Sequence, residues 1–140
     1  MTLIFMLLSL LMATHTPQQN NELTLTVTNI PNQEGVIRVL LFKGKDGFPD
    51  DQGKAFKSAI GNIDENKSVI VFKDLPPGKY ALSLFHDSQN SGKLRTNAFG
   101  IPRDGYGFSN NVMGSFGPPD FEKASFEVSG PKNNVSIKLR

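Results

Sequence analysis

The sequence predicts an all-β fold, a seven-stranded antiparallel β-sandwich. Short segments in which apolar and polar residues alternate recur along the chain, as expected for strands with one buried face. Turn-forming clusters of Gly, Pro, Asn and Ser separate these segments, and the sequence from residue 21 onward shows no sustained helical period. The chain has 140 residues, of which 38% are hydrophobic and 20% charged. These values are typical of one globular domain.

The first 20 residues are interpreted as a signal peptide and a short polar spacer. The apolar run from Leu3 to Ala13 is interrupted only by Ser9. It has the length of a signal-peptide apolar region and is shorter than the roughly 20 residues of a membrane-spanning helix. No Lys or Arg precedes it, so a buried N-terminal strand or helix is the alternative. We therefore predict export to the periplasm or the cell exterior, with one domain at residues 21–140 and no transmembrane span.

The first four strands follow this leader. LTLTVT (23–28) alternates Leu or Val with Thr, which gives it one apolar face. GVIRVLLF (35–42) is apolar on both faces except at Arg38, as expected for a central strand. KAFKSAI (54–60) alternates less regularly, and SVIVF (68–72) is short, β-branched and aromatic.

The last three strands surround a long connection. A Pro-Pro-Gly turn precedes a strand in which Tyr80 and His86 share one face. ASFEV (124–128) and VSIKL (135–139) alternate in the same way. The connection at 87–120 is far longer than the usual loop of about 4–6 residues and is rich in Gly, Pro and aromatic residues. Its aromatic content predicts that it packs through its own side chains.

Composition excludes several classes of function. The net charge is only +2 and the basic residues form no cluster, so the sequence lacks the basic patch of a nucleic-acid-binding protein. The absence of cysteine removes thiol nucleophiles, disulfides, Cys-based metal sites and a lipoprotein anchor.

Four segments in order, VLLFKGKDGFP, FKDLPPGKYALSLFHD, FGIPRDGYGFSNN and FGPPDFEKASFEV, resemble the bacterial domain-of-unknown-function family 2141. The resemblance covers about Leu23 to Arg140. It implies an exported protein with an immunoglobulin-like or prealbumin-like sandwich, in which a long Gly- and aromatic-rich loop precedes the last two strands. It implies no activity, and a fold alone cannot supply one.

HDSQNSGKLRTN (86–97) is similar to that family's His-Asp-x-Asn-x-Asn-Gly-x-x-Asp loop, which resembles the first half of a calcium loop. Here Gln89 and Ser91 replace asparagines, and Arg95 stands where the second aspartate is expected. Calcium requires about 6–8 oxygen ligands, including carboxylates, and the loop offers only Asp87. We therefore expect no metal and no cofactor, with Asp87 as the residue that could contribute to a calcium site. The predicted arrangement is a turn in which Asp87 and Asn90 bond backbone amides.

His86 is the natural candidate for a catalytic base. Strand parity directs His86 and Asp87 to opposite faces, so they should not form a dyad. The chain lacks a GxSxG motif, and Ser109 has no evident base beside it. We expect His86 to end its strand and to donate to the backbone of the long loop. The alternative is a small hydrolase that uses His86 with loop acids such as Asp104 or Asp120.

The long loop has two interpretations. Tyr106, Phe108 and Phe116 could form a ligand platform, or they could belong to a cap that covers the open edge of the sandwich. With 11 Phe, 2 Tyr and no Trp, the composition favours the cap. The segment GFSNN, which contains Ser109 and Asn110, is predicted either to be exposed for recognition or to cap backbone groups. The candidate ligand-binding residues are therefore His86, Asp87, Asn90, Tyr106, Phe108, Ser109 and Asn110.

The function predicted from the sequence is a non-enzymatic binding or structural module of the bacterial envelope. Its partner would be an envelope protein, a peptide or a glycan. The hydrolase and a calcium-stabilised adhesion module are the competing functions.

Overall fold

The computed structural model describes residues 21–140, and the predicted signal peptide lies outside this range. Residues 21–140 form eight β-strands, one four-residue α-helix and two short 3-10 turns. The strands are β1 (Asn21–Thr28), β2 (Val36–Phe42), β3 (Lys57–Gly61), β4 (Ser68–Leu75), β5 (Gly78–Asp87), β6 (Tyr106–Phe108), β7 (Phe126–Val128) and β8 (Lys132–Lys138). The helix is α1 (Phe121–Ala124), and the 3-10 turns are Gln52–Lys54 and Ser109–Asn111.

The strands form two sheets. The three-stranded sheet has the order β4-β1-β8, and the five-stranded sheet has the order β3-β2-β5-β6, with β7 pairing the start of β5. Every strand pair is antiparallel except β1 and β8, which run parallel over Glu22–Thr28 and Lys132–Lys138. The predicted all-β class is therefore confirmed.

The predicted count of seven strands and the fully antiparallel arrangement are wrong. The additional strand, β6, has three residues inside the glycine-rich connection, too few to show an alternation. The parallel pair joins β1 and β8, the first and last strands of the described residues. Whether β8 runs parallel or antiparallel to β1 depends on the path that the chain takes between them. Local sequence patterns do not carry that information.

One apolar core lies between the two sheets. Leu23, Leu25 and Val27 of β1 are fully buried, as their alternation predicts. Their counterparts from the five-stranded sheet include Val39 and Leu82, which belong to the same cluster. Each fully buried side chain of this kind stabilises the fold by about 1.5–3 kcal/mol relative to its exposed state.

A second apolar cluster covers the outer face of the five-stranded sheet. Phe108 of the long connection and Phe121 of α1 pack there with Phe42 and Ala81. The ring of Phe48 makes edge contacts with the rings of Phe42, Phe108 and Phe121, at centroid distances of 5.4, 6.2 and 5.9 Å. Such contacts add about 0.5–1.5 kcal/mol each beyond the burial of area. The connection therefore covers this sheet face, and its strand β6 also pairs with the edge of β5. Strand β5 is buried on both faces.

The chain crosses from the three-stranded to the five-stranded sheet between β4 and β5. The hydroxyl of Tyr80 donates to the carbonyl oxygen of Pro76 at 2.6 Å. The ring of Tyr80 is fully buried, and this burial raises its pKa. The bond holds the Pro-Pro-Gly corner against the first residues of β5.

Within residues 21–140, the structure contains no helix with the length and hydropathy that a membrane crossing requires.

Candidate functional site at the end of β5

The β1–β2 turn approaches the end of β5 closely. Gly35 has a φ of +71°, and a Cβ atom there would lie 1.9 Å from the carbonyl oxygen of Asp87. Only glycine fits this contact, because any side chain would collide with backbone and would also be strained at this φ. The turn therefore sits directly against the residues that the sequence singled out.

Asp87 is buried, with 2% of its surface exposed, and its carboxylate is fully engaged. It accepts hydrogen bonds from Nε of Arg38 at 2.5 Å, from the amide of Gly92 at 2.7 Å and from the amide of Ser91 at 2.9 Å. Burial by itself would raise the pKa of Asp87. The hydrogen bonds from Arg38, Gly92 and Ser91 outweigh it and lower the pKa from 3.8 to about 2. The carboxylate is thus ionised and neutralised by protein groups.

Arg38 is the residue that sequence reasoning missed. Its Nη2 atom donates to Oδ1 of Asn90 at 2.7 Å, in addition to the contact with Asp87. The predicted turn bonds from Asp87 to backbone amides are present, but the Asn90 side chain binds this guanidinium instead of an amide. Arg38 was visible in the sequence as the single polar residue of an apolar strand. Its partners were not visible, because Asp87 lies 49 residues further along the chain.

A second ion pair closes the loop. Nη2 of Arg95 donates to Asp104 at 2.6 Å, and Nε and the backbone amide of Arg95 donate to the same carboxylate at 3.0–3.2 Å. The Arg95 side chain is the main influence that lowers the pKa of Asp104, with burial opposing it. Asp104 therefore lies against the loop. It pairs with Arg95, the residue that stands where the second aspartate of the calcium-like pattern is expected.

His86 is buried between the loop and the β1–β2 turn. Its Nε2 atom lies 2.6 Å from the carbonyl oxygen of Glu34. A carbonyl can only accept, so Nε2 carries the hydrogen in this contact. The expected acceptor in the long loop is wrong for the side chain, although the backbone amide of His86 does donate to Gly105 of that loop. His86 and Asp87 bind different groups and form no dyad with each other.

Three consecutive side chains connect four elements through hydrogen bonds to backbone groups. They belong to Ser109, Asn110 and Asn111. Oγ of Ser109 accepts from the Leu82 amide and donates to the carbonyl of Ala124, and the residue is fully buried. Nδ2 of Asn110 donates to the carbonyls of Lys123 and Ser125. Oδ1 of Asn111 accepts from the amide of Lys138. These contacts correspond to the capping interpretation of GFSNN, and they join β5, β6, α1 and β8.

The aromatic residues of the connection divide into two groups. Phe108 is buried in the outer cluster, and the half-buried ring of Tyr106 packs against it at 6.0 Å. Phe99 and Phe116 are 88% and 105% exposed, respectively. The sequence alone could not separate these groups, because all four lie among similar glycines and polar residues.

Phe99 projects from a small hairpin at 96–102, which is defined here as the tip hairpin. Thr96 and Pro102 form a β-bridge at its base. Oδ1 of Asn97 accepts from the amides of Phe99 and Ile101, and the Asn97 amide donates to the carbonyl of Ile101. Gly100 supplies a φ of +75°. The tip is therefore an ordered turn.

Among residues 21–140, no three His, Cys, Asp or Glu side chains are grouped as a metal site would require. Two open grooves of about 430 Å³ lie on the surface. One is lined by Phe48, Pro118 and Asp120, and the other by Arg103, Tyr106 and Arg140.

Comparison with known proteins identifies the family. A family model described as "Uncharacterized protein conserved in bacteria (DUF2141)" matches residues 25–136. The chain belongs to the DUF2141 family. The resemblance predicted from the four sequence segments is thus confirmed. No curated protein and no solved structure matches the chain.

The DUF2141 segments coincide with structural contacts in this fold. LPPGKYALSLFHD forms the corner at Tyr80 and strand β5, and GYGFSNN forms β6 with the cap at Ser109. DFEKASFEV contains α1 and β7, which cover the outer face and the start of β5.

Proposed function

We propose that this DUF2141 protein is an exported, non-enzymatic binding module of the bacterial envelope. One observation carries the proposal. The buried polar groups that chemistry would need are held by protein groups, while the apolar side chains of two loops project into solvent. Asp87 and Asp104 are each neutralised by an arginine, and Ser109 both donates to and accepts from the backbone. A nucleophile or base in this arrangement would first have to break these contacts.

We further propose that the two sheets form an immunoglobulin-like or prealbumin-like sandwich. The bond from Tyr80 to Pro76 supports this assignment, because immunoglobulin-like sandwiches use a tyrosine at the same kind of inter-sheet corner. The core shared by the two sheets also supports it.

Export is supported by the apolar run at 3–13, whose length fits a signal peptide. An exported domain of this size with no disulfide must rely on its core and polar contacts for stability. The two apolar clusters and two arginine–aspartate pairs are suited to that requirement.

The binding surface is assigned to the loops that present Phe99 and Phe116. Rigid sandwiches commonly carry recognition on such loops, because loops vary without disturbing the core. Photo-crosslinking in the native bacterium tests this assignment. A benzoylphenylalanine placed at residue 99 or 116 should yield an adduct with an envelope component, whereas one at Ser136, exposed on β8, should not. Equal labelling from all three positions would overturn the assignment.

The hydrolase is tested separately. We expect the wild-type protein to hydrolyse ester, peptide and glycoside substrates no faster than the His86→Ala and Asp104→Asn variants do. An activity that both substitutions abolish while the protein remains folded would contradict the non-enzymatic role.

The calcium-dependent adhesion module is tested by calorimetric titration of the exported protein with calcium. We expect no binding tighter than millimolar, because the Asp87 carboxylate already holds Arg38. Tighter binding that is lost in Asp87→Asn would favour the adhesion module.

A further inference from the structure

We propose that the tip hairpin inserts into the surface of an anionic lipid membrane. This inference rests on the proposed role as an envelope binding module and names the partner of one of its loops. It follows from three features of residues 88–105 and their neighbours: an apolar tip, nearby cations and a rigid base.

The tip is apolar and convex. Phe99 is 88% exposed and Ile101 is 58% exposed, and only Gly100 separates them. Each amide of these two residues is held by Oδ1 of Asn97, so the turn already satisfies backbone donors that would otherwise oppose entry into an apolar phase. The turn can therefore move from water to the lipid interface without losing these bonds.

Three exposed cations lie near the base of the tip hairpin, in the chain or along the groove that Pro102 lines. Lys93, Arg103 and Arg140 are exposed, and none of the four ion pairs within residues 21–140 includes them. Arg103 directly follows the hairpin and lines one groove together with Arg140. Glu34 is an exposed acid in the β1–β2 turn at the same end, so the surface keeps an excess of positive charge. Exposed apolar side chains next to basic ones match an interface in which acyl chains lie beneath anionic headgroups.

The base of the hairpin is fixed to the protein body. The amide of Arg103 donates to the carbonyl of Arg95, and the Arg95 side chain pairs with the buried Asp104. Holding the tip in one orientation reduces the entropy lost on binding. The arginine that departs from the family's loop pattern thus acts as a positioning residue for the tip.

A lipid surface fits these features better than a protein groove does. The exposed apolar area at the tip belongs to two side chains, far less than a stable protein interface buries. A membrane needs no complementary pocket, and it adds favourable electrostatic energy from each nearby cation.

The absence of tryptophan from the chain provides a direct test. Phe99→Trp places a single fluorophore at the tip, and Val69→Trp places one at an exposed position of strand β4, outside the loops that are assigned to binding. The exported protein is mixed with phosphatidylcholine vesicles, with or without phosphatidylglycerol. We expect the emission of the Phe99→Trp variant to shift to shorter wavelength only with phosphatidylglycerol, and that of the Val69→Trp variant to stay unchanged.

Cosedimentation with the same vesicles tests the contributions separately. Phe99→Ser should weaken partitioning by about tenfold or more, as expected when a phenylalanine side chain no longer leaves water. Arg103→Gln and added salt should weaken it as well, whereas Val69→Ser should leave it unchanged. Binding to neutral vesicles of equal strength, equal emission shifts in the two tryptophan variants, or no binding would overturn the inference. If a protein adduct forms from residue 99 but vesicles do not bind, the envelope module stands and the lipid partner is wrong.

Discussion

Replacing Asp87 with asparagine tests whether the arginine–aspartate pair stabilises the end of β5. Asparagine keeps the shape of the side chain and resembles the protonated acid, so the substitution removes mainly the negative charge. The folded protein lowers the pKa of Asp87 from 3.8 to about 2, with Arg38 and two loop amides as donors. One pKa unit corresponds to about 1.4 kcal/mol, so the ionised carboxylate contributes about 2 kcal/mol to the free energy of unfolding at pH 7.

The pH dependence gives the prediction a direction. Because the folded-state pKa is depressed, this stability is fully present above pH 4 and is lost as the pH falls through about 2. Urea denaturation should therefore show Asp87→Asn to be less stable than the wild type by about 2 kcal/mol at pH 7, by about half of that near pH 3, and by little near pH 2.

A surface pair in the same chain provides the matched control. Asp46 contacts Lys54 at 3.1 Å, but both side chains are more than half exposed. Asp46→Asn should leave the urea midpoint unchanged at every pH, because solvent screens such pairs. A pH-independent loss in Asp87→Asn, or an equal loss in both variants, would refute the reasoning.

Three further substitutions, with Phe99→Ala as a control, test the contacts of the long connection and the corner by urea denaturation at pH 7. Phe108→Ala should cost about 3–5 kcal/mol because it opens a cavity in the outer cluster, while Phe99→Ala, at an exposed position, should cost nothing measurable; equal effects would place the cluster elsewhere. Tyr80→Phe should cost about 1 kcal/mol because it removes the donor to the Pro76 carbonyl, and an unchanged midpoint would contradict a stabilising role for this bond. Ser109→Ala should cost about 1–3 kcal/mol because the buried Leu82 amide loses its acceptor, and hydrogen exchange at that amide should become faster; unchanged exchange would contradict a stabilising role for the bond from Leu82 to Ser109.

The alternation of the sequence was sufficient to place the inner faces of the strands. Leu23, Leu25 and Val27 are buried as predicted, because the side-chain period of a strand is set by local backbone geometry. Strand β6 and the parallel pairing of β8 escaped prediction. A three-residue strand carries too little pattern, and the direction of a neighbouring strand is set by the path of the whole chain.

The candidate site was predictable as a set of residues but not as a set of contacts. The motif identified Asp87, Asn90 and His86 correctly as residues of one corner. Their partners, Arg38 and the Glu34 carbonyl, lie about 50 residues earlier in the chain and meet them only when β2 pairs with β5. Composition favoured the cap over the platform but could not assign individual rings, because it does not distinguish the buried Phe108 from the exposed Phe99.

The sequence by itself determined the all-β class, the membership of the DUF2141 family, the buried faces of the main strands and the loss of the second aspartate from the calcium-like loop. Local periodicity and the order of the motifs are sufficient to establish these properties. Only the tertiary structure decided which groups the remaining acids contact. Pairing of β2 with β5 brings Arg38 to Asp87, and the return of the long connection brings Asp104 to Arg95. The strength of both ion pairs depends on burial and distance, which exist only in the folded chain, and so does the exposure of the tip hairpin that they support.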